Sequence, residues 1–143
     1  MSTRCAITFG TKYKGRLGLQ LYKHSDGYPD GQRWLVKFAE DYANERGQDL
    51  EYCAAQCLIA AYKDREEASL DSACKALLGN GRTGPDYCGF GLQGLMPDED
   101  PTDVQGDIEY IYRVTLDKGG RVDWQKAGTK TWTRMLPTEV KNA

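Results

Sequence analysis

From Arg4 to Phe9 the side chains alternate, with Cys5, Ile7 and Phe9 on one side and Arg4, Ala6 and Thr8 on the other. Period two is the mark of a half-buried strand. Leu17, Leu19 and Leu21 alternate with Gly18, Gln20 and Tyr22 in the same way, and Lys12-Tyr13-Lys14-Gly15 supplies a turn between the two segments. Together they predict an N-terminal hairpin. The period then lengthens: Leu35, Phe38, Ala39 and Tyr42 lie at i, i+3, i+4 and i+7, predicting a helix that Gly47 ends. Leu50, Cys53, Ala54, Cys57, Leu58 and Ala61 predict a second helix over 49–63. A third carries Leu70, Ala73, Cys74, Leu77 and Leu78, opened by the capping-box-like pair Asp64 and Glu67 and stopped by Gly79. Strict alternation returns at Ile108, Tyr110, Tyr112, Val114 and Leu116; Lys118-Gly119-Gly120 turns the chain, and Val122 and Trp124 mark a fourth strand. The order β-β-α-α-α-β-β predicts an α+β domain. Its antiparallel sheet consists of two hairpins, with about three helices inserted between them and packed on one face.

The remaining stretches read as loops. His24-Ser25-Asp26-Gly27-Tyr28-Pro29-Asp30-Gly31 stops the second strand, with Gly27 expected at positive φ and Asp30 expected to cap the next helix. Residues 79–105 read as irregular, Gly-rich to Leu95 and acidic after it, and 133–143 as a fraying tail, with a short strand around Trp132.

At 143 residues and 40% hydrophobic, the chain has enough apolar material for one core, so 1–143 is read as a single domain. Its longest apolar run, Cys57-Leu58-Ile59-Ala60-Ala61, is far short of the roughly 18 residues that span a bilayer. Five cysteines and no export signal predict reduced thiols in a cytoplasm. Cys53 and Cys57 could form half a zinc site with Cys74 or His24, but their apolar stripe favours core packing. Neither metal nor cofactor is expected.

No catalytic pattern stands out. Gly79-Asn80-Gly81-Arg82-Thr83-Gly84 and Gly89-Phe90-Gly91-Leu92-Gln93-Gly94 both fit G-x-G-x-x-G, but neither has the strand–turn–helix setting that presents phosphate to a helix N-terminus. His24 is the one histidine, and an enzyme would use it as a base oriented by Asp26. Yet His24, Ser25 and Asp26 are chain neighbours, which seldom converge on one reacting atom. The expectation is a structural role for His24, Asp26, Gly27, Tyr28 and Pro29.

Charge layout is more informative. Residues 1–37 carry a net +5 and 113–143 a net +4, whereas 38–112 carry a net −11. The hairpins are therefore basic and the helices with the long loop acidic, which predicts a molecule with two electrically different faces. One reading gives Asp98, Glu99, Asp100 and Asp103 a docking role toward a basic protein surface. The other has a basic sheet with Arg4, Tyr22, Lys23, Arg113 and Arg121 binding nucleic acid.

The string from Tyr22 to Gly31 resembles a group of short uncharacterised proteins from bacteriophages, prophages and plasmids, which carry an aromatic–basic–His–x–Asp–Gly–Tyr–Pro segment after a strand. Gly106-Asp107-Ile108-Glu109-Tyr110-Ile111-Tyr112 is similar to their strand of alternating acid and tyrosine. The resemblance implies a mobile-element accessory protein of the host cytoplasm. With the charge layout, the leading expectation is a non-enzymatic protein that masks a host macromolecule through its acidic face, for instance as an anti-CRISPR-like inhibitor of host defence. Nucleic-acid binding by the basic sheet is the alternative expectation, and a hydrolase or transferase centred on His24 is the third.

Overall fold

The computed structural model describes residues 3–9, 18–24, 27–47, 52–61, 90–95, 100–104 and 106–136. The strands are β1 (Cys5–Phe9), β2 (Gly18–Lys23), β3 (Phe90–Leu95), β4 (Tyr110–Thr115), β5 (Arg121–Lys126) and β6 (Thr133–Arg134). The helices are α1 (Trp34–Arg46), α2 (residues 52–61) and the short α3 (Pro101–Val104). Single 3-10 turns at Pro29–Gln32 and Asp117–Gly119 lead into α1 and β5.

All six strands form one sheet in the order β3-β2-β1-β4-β5-β6. β1 pairs antiparallel with β2, Ile7 opposite Leu21, and β4 antiparallel with β5, Val114 opposite Val122. The sheet is not antiparallel throughout, as the alternation predicted: β1 and β4 run parallel at its centre, Ile7 beside Tyr112. A parallel neighbour requires a crossover connection, and here the crossover includes α1 and α2. A second departure is β3, which occupies part of the stretch read as irregular and pairs antiparallel with β2. In Phe90-Gly91-Leu92-Gln93-Gly94-Leu95 two glycines fall where a side chain would reveal the alternation, so the strand rests on its backbone ladder with β2. From Phe90 onward the match to G-x-G-x-x-G is thus strand, and Gly89 lies outside the described residues. The predicted tail also begins with β6, paired to β5. The predicted third helix and the first glycine motif lie outside the described residues.

The inner face of the sheet and the helices enclose the main core. Cys5, Ile7, Phe9, Leu21, Tyr112, Val114 and Val122 pack there against Leu35, Val36, Ala39 and Tyr42 of α1 and Cys53, Ala54, Cys57 and Ala61 of α2. Apart from Val36, which takes the buried place expected of the half-buried Phe38, these are the stripes expected from the sequence. Ile108 is the exception: it lies before β4 begins and joins Ala6 and Ile111 in a second cluster on the opposite face. Against that smaller cluster pack Tyr22 and Trp132.

Cys5, Cys53 and Cys57 are buried thiols that form no disulfide. Burial pushes the Cys5 thiol up to about 12, only partly opposed by the charge of Lys23. The Cys57 thiol is raised as well, first by burial and then by its neighbour Cys53. A raised native pKa stabilises the fold below the unfolded thiol value and withdraws that stability as pH climbs through the native value. The unfolding free energy should therefore fall between pH 9.0 and about 12, by about 1.4 kcal/mol per pH unit for Cys5. Urea titrations at neutral and alkaline pH should show the slope, and Cys5→Ala should flatten it. An unchanged slope in that variant would mean that Cys5 is not the group involved.

Candidate nucleic-acid interface

The loop after β2 is built inward. Lys23 lies on the helix side of the sheet, opposite Cys5, and is only 3% exposed. Its ammonium donates to Gln32 Oε1 at 3.3 Å and lies 5.4 Å from the centre of the Trp34 ring. Trp34 Nε1 donates to the same oxygen at 3.2 Å. Lys23 thus ties β2 to the start of α1 and contributes nothing to an outer basic face, because strand alternation sends it to the other side. Gly27 donates to the Thr3 carbonyl at 2.8 Å, and its own carbonyl accepts from the buried Tyr112 hydroxyl. Gly27 does not have the positive φ expected of it. Its glycine character is set by contact, since a Cβ would lie 2.8 Å from both Cys5 Cβ and the Thr3 carbonyl oxygen. Asp30 does not cap α1; it pairs with Arg33 at 2.8 Å, and no side chain caps that helix. Pro29 opens the 3-10 turn, and Tyr28 is exposed. Asp26 lies outside the described residues.

His24 Nδ1 lies 2.9 Å from the Tyr22 hydroxyl. Burial and the charge of Asp107 raise the Tyr22 hydroxyl above its ordinary value, against the opposing pull of Arg4. Arg4 in turn pairs with Asp107 at 3.1 Å. Arg4, Tyr22, His24 and Asp107 therefore form one linked polar group at the end of the sheet where β1 begins and β2 ends.

The outer face across β4, β5 and β6 is organised around Asp123, which is 2% exposed. Arg121 grips its carboxylate, with Nε 3.1 Å from each oxygen and Nη2 2.9 Å from Oδ1. Those hydrogen bonds, and after them the carboxylate's charge, hold the Arg121 guanidinium above its ordinary value. Arg113 Nη2 stands 3.6 Å from Asp123 Oδ2, and its guanidinium carbon lies 4.1 Å over the centre of the Trp132 ring. Arg134 is the direct cross-strand partner of Asp123 and so shares its face. The result is three exposed arginines around a single buried carboxylate, with 44% of the Arg113 side chain and 49% of the Arg121 side chain open to solvent. Strands about 4.8 Å apart place Arg113 and Arg134 on backbones about 10 Å apart across the sheet.

The acidic stretch is partly committed to its own folding. Asp100 Oδ1 accepts from the Thr102 amide at 2.9 Å and from its hydroxyl at 2.7 Å, while Asp103 Oδ2 accepts from the Asp100 amide at 3.1 Å. This is a reciprocal cap on α3. Asp98 and Glu99 lie outside the described residues. Among the described residues no group of three or more His, Cys, Asp and Glu could hold a metal ion, and no helix is long and apolar enough to cross a membrane.

Of the basic-sheet residues named from sequence, Arg113 and Arg121 come together, Arg4 and Tyr22 form the separate group beside His24, and Lys23 turns away. Asp123, Trp132 and Arg134 were missed. Arg121-Val122-Asp123 in a period-two segment does place the first two charges on one face. No local signal brings Trp132 and Arg134 back onto it. No protein-family model, no curated protein and no solved structure matches the chain.

Proposed function

We propose that this protein binds nucleic acid through the outer face of the sheet at β4, β5 and β6. The observation that carries the reading is the set of three exposed arginines, Arg113, Arg121 and Arg134, gathered on three neighbouring strands around one buried carboxylate. One negative charge orients two guanidinium groups and leaves the patch a net positive charge. Such groups suit phosphate oxygens, which arginine binds in a fixed fork geometry. Most of α1 and all of α2 come from the acidic middle of the chain, while β1, β2, β5 and β6 come from its basic ends, so the charge layout favours a polyanion on the sheet. Asp100 and Asp103 are engaged in capping and Asp107 in pairing with Arg4, which makes the acidic segment the weaker docking candidate. The accessory role implied by the His24 loop's resemblance would then be exercised by occupying a nucleic acid.

Anisotropy of a labelled oligonucleotide, titrated at several salt concentrations, tests this. Binding should weaken linearly in log–log form as salt rises. Arg134→Ala, which removes an exposed charge, should lower the slope by roughly 0.7 to 0.9. No binding at low salt, or a slope indifferent to Arg134, would refute the reading.

A further inference from the structure

We propose that the nucleic acid recognised here is single-stranded, held by a base stacked on the Arg113 guanidinium. The inference rests on the proposed function and adds the form of the ligand. The guanidinium carbon lies 4.1 Å over the centre of the Trp132 ring, and Nη2 stands 3.6 Å from Asp123 Oδ2. Trp132 is itself held by packing on the cluster of Ala6, Ile108 and Ile111. Two contacts therefore restrain the guanidinium, while 44% of the side chain remains open. A restrained guanidinium with an open side offers a planar cation on which an aromatic ring can stack. A base that completes the stack must have a free face. In a duplex each base is already covered above and below by its neighbours, whereas an unpaired base can be splayed onto a protein plane. Arg121 and Arg134 flank this platform on the adjoining strands, where backbone phosphates on either side of the stacked base would fall.

The test compares oligo(dT), oligo(rU), a DNA hairpin duplex and inorganic polyphosphate by competition, with wild type, Trp132→Leu and Arg113→Lys. Arg113→Lys keeps the charge and removes the plane, so it answers for a Trp132→Leu variant that fails to fold. Both single strands, or either one, should outcompete the duplex and polyphosphate by roughly tenfold. Either variant should remove that advantage, and Arg113→Lys should do so with the salt slope unchanged. Equal affinity for single strand and duplex would overturn the stacking inference while leaving the basic face in place. So would polyphosphate competing as well as oligo(dT). Failure of every polynucleotide to bind would overturn the proposed function and the inference with it.

Discussion

Replacing Gly120 with alanine is expected to destabilise the protein by about 3 kcal/mol or more. Gly120 follows the 3-10 turn that leads into β5 and has φ +87° and ψ 132°. A side chain there is opposed on two grounds. The backbone conformation is one that L-residues avoid, at about 1–2 kcal/mol. The added Cβ would also collide with the Ala39 carbonyl oxygen and stand 2.7 Å from the Ala39 carbonyl carbon and 2.9 Å from Glu40 Cα. All three atoms belong to the backbone of α1. Relief therefore requires the helix to move off the sheet and disturb the packing of Leu35, Ala39 and Tyr42. Gly128 is the matched control: its φ is +86° with nothing within 4 Å of a new Cβ. Gly128→Ala should incur only the conformational part, about 1 kcal/mol. Urea denaturation of the two variants isolates the close approach of helix and turn, and equal losses would show that α1 does not press on Gly120.

Gly27→Ala should cost about 2 kcal/mol for a different reason. No left-handed backbone is involved. The new methyl would meet Cys5 Cβ and the Thr3 carbonyl oxygen at 2.8 Å and the Arg4 carbonyl carbon at 2.9 Å. The amide of Gly27 donates to Thr3, and its carbonyl accepts from Tyr112, so displacing the loop would loosen both bonds. The two ends of this contact should be coupled. Tyr112→Phe should cost about 1–2 kcal/mol in wild type, because it leaves the Gly27 carbonyl without that donor. In a Gly27→Ala background its cost should be smaller. Strict additivity would mean that the loop stays in place despite the methyl group.

The alternating and helical patterns were legible wherever side chains reported the face they occupy. Cys5, Ile7 and Phe9 lie in the core, as do Leu35, Ala39 and Tyr42, because burial of one face is what creates such periods. Two features left no such mark. In β3, Gly91 and Gly94 have no side chain to alternate, and its pairing with β2 is made by the backbone alone. The parallel contact of β1 with β4 joins residues about a hundred positions apart, and period two is the same for either strand direction. The candidate site divides along the same line. Arg113 and Arg121 could be assigned an outward face from their own strands. Lys23 was legible too, since the alternation of Leu19 and Leu21 puts it on the core face; grouping it with Tyr22 ignored that period, and only the Gln32 and Trp34 partners that accommodate its charge were hidden from the sequence. Trp132 and Arg134 reach the face only through the tertiary position of β6 and the segment before it.

The central claim is that nucleic acid lies on the arginine face. Its most direct test is a titration of isotope-labelled protein with oligo(dT), followed residue by residue by NMR. The account predicts that the largest shifts fall on the Trp132 indole N–H, the Arg113 and Arg121 Nε–H groups and the amides of Thr133 and Arg134. The amides of Glu40, Asp41 and Glu45 on α1 should stay still. Shifts centred on α1 or on residues 100–109, with the Trp132 and Arg113 signals unmoved, would contradict it.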